Sequence, residues 1–311
     1  MDTLLKLLDK DRDYLSVIGM CDEDEENYGD FIESFTSEKY TPSFKRKKLN
    51  KNVKHISDLD LKITPMINEE DTYITTHKNL PKIPFSALVS GARGSGKSVL
   101  SGNLLRLLSH YFDEVILYCP TADLDLKWKL TFEELGLEWK INENVFFNYD
   151  ENILHKQMKC IWRLNKGKKK IQEKMKTCFI FDDMISQLPK NKKNTIFNRL
   201  LLNNRHYAAS VIVISQSYML LDSNFRKNCS QIFLWKTENL KELKNFHEEL
   251  TGCLGKSKKE CCENFTSLYE EATSQPHSCL YINYHQEDKR HRFHRNFDDI
   301  LIIEDCDFFK N

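Results

Sequence analysis

No stretch of this 311-residue chain approaches the roughly 20 consecutive apolar residues that a bilayer-spanning helix needs. The expectation is therefore a soluble protein with no membrane insertion. No secretory leader is legible, and the ten cysteines include no Cys-x-x-Cys pair. Cys119, Cys178, Cys229 and Cys279 sit singly inside apolar segments, where cysteine behaves as a small hydrophobe. A reducing compartment is expected, not a disulfide framework. Cys253, Cys261, Cys262, His277 and Cys279 invite the thought of zinc, but their spacing matches no common zinc site. Net charge is lacking too: 46 Lys and Arg balance 46 Asp and Glu. Any nucleic-acid surface must then be local, with acids gathered elsewhere. No aromatic-rich stretch offers a platform for stacking single-stranded bases.

What the chain does have is an ordered middle. Residues 1–80 read as an N-terminal arm, with a leucine-rich start (Leu4, Leu5, Leu7, Leu8), an acidic run from Asp22 to Glu26 and a basic block at Lys45-Arg46-Lys47-Lys48. Opposed charge blocks with few strand signals suit an extended or loosely packed leader. Pro81 and Pro84 mark the entry to a core over 81–240. There, apolar runs at Phe85–Ser90, Glu114–Tyr118, Asn144–Phe147, Thr177–Phe181, Ala209–Ile214 and Gln231–Trp235 read as strands. Helical patterns intervene at 97–107, 124–140 and 191–203. Near-continuous apolar strands separated by helices predict an α/β fold with a mostly parallel sheet covered on both faces. Residues 241–311 add helices near 239–250 and 258–272 and a strand at Cys279–Asn283, a C-terminal extension expected to pack on the core.

The most specific signal follows the first strand. Gly91-Ala92-Arg93-Gly94-Ser95-Gly96-Lys97-Ser98 satisfies GxxxxGKS, with an apolar strand before it and an apolar-faced helix over 97–107, Val99 in its first turn, following it. Glycines let backbone N–H groups curl around phosphates, and the helix N-terminus adds a favourable field. Lys97 is expected to reach the β- and γ-phosphates, and Ser98 to ligand Mg²⁺. The expected ligands are thus ATP and Mg²⁺, with residues 91–99 as the cradle.

Two further elements narrow the chemistry. Thr177–Phe181 delivers Asp182 and Asp183 to a strand's C-terminal end, where ligands bind in open α/β sheets. Asp182 is the expected Mg²⁺ residue, and Asp183 the group that orients or deprotonates the attacking water. A plain turn or helix cap is the bland alternative for the pair. Val211–Ile214 ends at Ser215-Gln216, which sets Gln216 where it can hydrogen-bond the water or the γ-phosphate. A cation for the transition state is missing nearby. Arg199, Arg205 and Arg226 are the candidates, and Arg205 and Arg226 lie in polar connections flanking the Gln216 strand, suited either to a subunit boundary or to surface ion pairs.

The order of these elements resembles the genome-packaging ATPases of poxviruses, other nucleocytoplasmic large DNA viruses and virophages, a branch of the FtsK/HerA class of DNA-translocating motors. The resemblance covers roughly residues 80–240. It rests on Gly91–Ser98, Phe179-Ile180-Phe181-Asp182-Asp183, Leu202-Asn203-Asn204-Arg205-His206-Tyr207, Ser215-Gln216 and Phe225-Arg226-Lys227-Asn228. It implies a RecA-like P-loop fold, ATP hydrolysis, a sensor role for Gln216 and a trans-acting or sensing arginine at Arg226 or Arg205. It also implies a homo-oligomeric ring (pentamer or hexamer), double-stranded DNA as the partner, docking to capsid or portal-vertex proteins, and work in the host cytoplasm at a viral factory or in the virion. Asn204 departs from the pattern, which has Gly before Arg-His. A helicase or another nucleic-acid-remodelling P-loop ATPase is the alternative; a small-molecule kinase lacks any marked lid or acceptor pocket.

A translocating ring needs cations against DNA phosphates. Lys166-Gly167-Lys168-Lys169-Lys170 with Lys174 and Lys176, then Lys190, Lys192 and Lys193, flank the acid-bearing strand, and Lys289-Arg290-His291-Arg292 with His294 and Arg295 forms a later patch. Each also reads as a solvated loop. Phe297, Phe308 and Phe309 in the acidic tail suggest packing on a neighbouring subunit or a capsid component.

Overall fold

The computed structural model describes residues 72–124, 126–189, 195–252, 254–304 and 306–309. The leucine-rich start, both charge blocks of the N-terminal arm, Lys190, Lys192, Lys193 and Cys253 lie outside the described residues.

In chain order the strands are β1 (Ser86–Ser90), β2 (Glu114–Tyr118), β3 (Val145–Phe146), β4 (Thr177–Asp182), β5 (Ala209–Ser215), β6 (Gln231–Trp235), β7 (Cys279–Asn283), β8 (Phe293–Arg295) and β9 (Asp299–Ile300). The helices are α1 (Lys97–Leu108), α2 (Leu126–Glu134), α3 (Glu151–Asn165), α4 (Ile196–Leu202), α5 (Asn204–Tyr207), α6 (Ser223–Asn228), α7 (Leu240–Glu249) and α8 (Lys258–Ala272). All nine strands form one sheet in the order β3-β2-β4-β5-β1-β6-β7-β8-β9. The pairs from β3 through β6 are parallel, and β6 through β9 pair antiparallel. Residues beyond 240 thus extend the same sheet.

Strand periodicity explains the layers. In β4, Phe179 and Phe181 face a cluster shared with α3, α4, α7 and α8, whereas Cys178 and Ile180 face α1 and α2. Val211 and Val213 against Ile212 and Ile214 repeat the split in β5, whose seven residues are all buried. Two-residue alternation of apolar side chains is what a sheet covered on both faces requires.

Local chemistry sets several boundaries. Helix α3 is not among the elements read from the sequence. Leu154, Met158 and Ile161 give it a buried stripe, and Asp150 caps it by accepting from the Asn152 and Ile153 N–H groups. Helix α2 stops at Glu134, short of the expected 140, where Gly136 turns the chain at φ 64°. Helix α8 starts on Ser257, whose Oγ accepts from Glu260 N, while the Glu260 carboxylate reaches back to accept from Lys256 N. The tail corrects an expectation. Phe308 and Phe309 are buried against Phe293 of this same chain, and Phe297 packs against Phe233 and Tyr281. They are occupied at home. No helix among the described residues is long and apolar enough to cross a membrane.

Candidate active site

The sheet topology assembles the site. β5 lies between β1 and β4, with Ser90 level with Ser215 and Asp182 level with Ile214. The loop after β1, the acids ending β4 and Gln216 after β5 therefore emerge side by side on the C-terminal edge of the parallel strands. Gly91 N–H donates to Ser215 O at 3.2 Å, tying the loop's first residue to β5.

Within the loop, Gly94 and Gly96 stand at φ 78° and 107°, a region that side chains disfavour. Gly91 is needed for a different reason, since a Cβ there would come 2.7 Å from Trp235 Cβ. Gly96 opens α1 with no side-chain cap, so the first N–H groups of the helix face the loop's concavity. Ser95 Oγ is buried with no hydrogen-bond partner. An orphaned donor and an uncapped helix start fit a phosphate chain. Lys97 Nζ donates to Ala92 O at 2.8 Å, inside the loop. Burial pushes its ammonium below the ordinary lysine range, while Asp183 and Asp182 pull it back up.

Asp182 sits on the α1/α2 side of β4, 7% exposed. Its Oδ2 accepts from Ser98 Oγ at 3.2 Å and from Trp128 Nε1 at 2.7 Å. Burial, with Asp183 beside it, pushes the carboxyl up to about 6, against the two hydrogen bonds and Lys97. A hydroxyl and a carboxylate in contact beside a phosphate cradle are a donor set for a hard, oxygen-loving cation such as Mg²⁺. Asp183 leaves the strand at φ 53°, a left-handed conformation that Asp tolerates better than most residues. This turn breaks the alternation that would send it away from its neighbour, and Gln216 Nε2 donates to Asp183 Oδ2 at 3.3 Å.

The arginines part company. Arg226 is 8% exposed; Nε and Nη2 donate to Glu249 at 2.9 and 2.6 Å, Nη1 donates to Leu221 O, and the guanidinium lies over the Tyr218 ring. The exposure expected of Arg226, whether at a subunit boundary or in a surface ion pair, is corrected: its side chain is buried in an ion pair with Glu249. Arg205 is exposed but precedes β5, at the opposite edge of the sheet, with its guanidinium 5.8 Å from the Tyr73 ring. Of the cradle's own residues, Ala92, Arg93, Gly94 and Val99 are exposed.

Three neighbours escaped sequence reasoning. Trp128 holds Asp182 from α2. His277, at φ 64°, lies against Gly96, and its Nδ1 is 3.3 Å from Ser95 O. Trp235 packs on Gly91 and donates Nε1–H to His277 O at 3.1 Å. Only tertiary contact marks the three. Glu242, buried on α7, accepts from Ser217 Oγ, Tyr218 N and Thr237 Oγ1, clasping the segment just after Gln216. His277 and Cys279, considered above for zinc, separate: one meets the loop, the other is buried in β7.

Residues 74–275 match the model of a family described as Poxvirus A32 protein. An uncharacterized protein of Acanthamoeba polyphaga mimivirus is 27% identical over 171 residues, covering 54% of this chain and 57% of that protein. The chain thus matches little more than half the length of this curated relative. The genome packaging NTPase B204 of Sulfolobus turreted icosahedral virus 2, solved with ATP-γS, is 16% identical, covering 70% of this chain and 98% of its own, with a TM-score of 0.48. The pCW3 conjugation coupling protein TcpA, also solved with ATP-γS, is 14% identical, covering 65% and 57%, with a TM-score of 0.40.

Proposed function

The chain belongs to the poxvirus A32 protein family, and from that premise we propose that it is an ATP-hydrolysing motor subunit that moves double-stranded DNA to package a viral genome. It works as a homo-oligomeric ring in infected host cells, at the viral factory or in the virion, against a capsid or portal vertex. The observation that carries the reading is the contact of Ser98 with Asp182 beside the phosphate loop, with Gln216 on Asp183 next to it. Four groups from three strand ends converge on one edge, the set that phosphoryl transfer to water requires.

In this reading residues 91–99 hold the triphosphate, and Lys97 exchanges its bond to Ala92 O for the β- and γ-phosphates. Ser98 and Asp182 hold Mg²⁺, which when bound neutralises charge on the phosphate oxygens. Asp183 accepts a proton from the attacking water, and Gln216 orients that water by its amide. Departure of the γ-phosphate changes the Gln216–Asp183 contact, and the Glu242 clasp carries that change to α7.

The test is ATP hydrolysis measured against protein concentration, with and without double-stranded DNA. Activity per subunit that rises with concentration and with DNA is expected. Flat, DNA-independent activity in a strict monomer would sink the motor reading, and directional strand separation would move it to a helicase.

A further inference from the structure

Cations that lie far apart in sequence fall on one edge of the sheet, away from the nucleotide loop. The N-terminal edge of the parallel strands carries cations at five adjacent positions. Lys174 precedes β4, Arg205 precedes β5, Lys82 precedes β1 and Lys227 precedes β6. Arg292 faces the end of β7, where its carbonyl accepts from Asn283 N–H at 2.8 Å. The strand order β4-β5-β1-β6-β7 sets the ends of these strands about 4.8 Å apart, so the edge that follows these cations is roughly 20 Å wide. The exposed loop Lys166–Lys170 follows Asn165, whose amide donates to Met175 O and Tyr207 O just before β4 and β5.

The β4, β5 and β1 positions of the row interact. Arg205 lies over Tyr73, whose ring is 5.0 Å from that of His285. Burial, then Lys82 and Arg205, push His285 down to about 4. Burial, then Arg205 and Lys174, push His206 down. Two imidazoles thus lie in a positive field. Counterweights exist: Glu287 pairs with Lys82, Asp113 with Lys176 and Asp288 with Arg290.

We propose that this edge, opposite the nucleotide loop, is the surface that grips the DNA duplex. The proposal rests on the motor reading above and adds the place of contact. An edge roughly 20 Å wide matches the width of a duplex, whose two strands present one phosphate per 1.7 Å or so of axis. Arg205 and Arg292 lie over the rings of Tyr73 and Tyr284 at 5.8 and 5.7 Å, and Arg292 also lies over Phe308 at 5.4 Å. Rings covered this way do not stack on bases, so backbone contact to a duplex is favoured over single-strand binding. Arg205 is thereby assigned to DNA and not to a neighbour's nucleotide.

The test uses the full chain and a fluorescent random-sequence duplex, with binding followed by anisotropy across a salt series. Lys174→Ala with Lys227→Ala removes two cations of the row. Lys241→Ala with Lys244→Ala removes two from the exposed face of α7 as a control. Each phosphate contact contributes a slope of about 0.9 in log affinity against log salt. The edge variant should lose about 2 from the slope and, near 0.1 M salt, on the order of 50-fold in affinity. The α7 control should match the wild type, and hydrolysis without DNA should be unchanged in both. Wild-type binding with an unchanged slope in the edge variant overturns the placement alone and points to an acidic protein partner for this edge. Loss of DNA-free hydrolysis with duplex affinity kept also overturns it, by making the edge a neighbour's nucleotide contact. A wild type that neither binds duplex at low salt nor is stimulated by it overturns the motor reading beneath.

Discussion

Asp182→Asn should stabilise the nucleotide-free protein while abolishing its metal-dependent chemistry. The carboxylate is 7% exposed and held by Trp128 and Ser98, yet burial and Asp183 still raise it from 3.8 to about 6. The sign follows from linkage. A raised folded-state value means that ionising Asp182 weakens the fold, so the stabilisation is fully present below pH 3.8 or so and is lost as pH rises through 6. About two units at roughly 1.4 kcal/mol each put the cost near 3 kcal/mol above pH 7. Asparagine keeps an oxygen to accept from Trp128 and Ser98 and carries no charge. The variant should match the wild type near pH 4 and exceed it by about 3 kcal/mol at pH 8. In melting temperature that is roughly 5–10 °C for a chain of this size. Thermal melts of both proteins between pH 4.5 and 8, with Mg·ATP binding in parallel, measure this directly. A variant less stable than wild type at pH 8, or a gain equal at pH 5 and pH 8, would refute the reasoning. Stability withheld at a functional carboxylate is a familiar trade.

Trp128→Phe removes one charge-assisted donor from Asp182, on the order of 1.5–3 kcal/mol. The acidic limb of kcat/KM for ATP should move up by a pH unit or more with its alkaline plateau kept, and an unmoved limb would show the bond to be irrelevant. Arg226→Ala breaks a buried pair and should cost about 3–5 kcal/mol of stability. Arg226 holds Glu249 below the usual carboxylate range, so the pair's contribution is present at neutral pH and fades as pH falls through that depressed value. Denaturation at neutral and acid pH should show the gap between wild type and variant narrowing; a normal melt with lost hydrolysis would instead restore Arg226 as a catalytic arginine. Gln216→Ala, at an exposed side chain, should leave stability within about 0.5 kcal/mol. It should lower kcat on the order of 10- to 100-fold by removing a water-orienting amide, and an unchanged kcat would leave the Asp183 contact structural.

The parts of the site legible in the sequence are those whose information is local. Gly91–Ser98 needs only a strand before it and a helix after it, and the ends of β4 and β5 announce themselves where apolar runs stop at Asp182 and Gln216. Contacts between distant segments were silent. Trp128 reaches Asp182 across 54 residues and His277 reaches Ser95 across 182. Nothing in either neighbourhood distinguishes such a residue from an ordinary core tryptophan or a turn histidine. The two arginines show the same limit. Arg205 and Arg226 look alike in polar connections, and what separates them is Glu249, which a later helix brings to one of them. Helix α3 differs, because Leu154, Met158 and Ile161 stand at i, i+4 and i+7, the spacing of one helical face that the sequence does show.

β5 reaches both edges of the sheet, from Ala209 beside Arg205 to Ser215 beside Gln216, and it is hydrogen-bonded on both sides along its length. Sliding it by one residue would turn Val211 and Val213 toward the wrong layer, which forbids any graded shear against β1 or β4. The strand is therefore a stiff rod of roughly 23 Å gripped in a slab. A push at its Gln216 end is felt at the Arg205 end as a tilt of the whole slab and not as a stretch within it. In the motor proposed above, the stroke would lie between neighbouring subunits, each rocking as one piece.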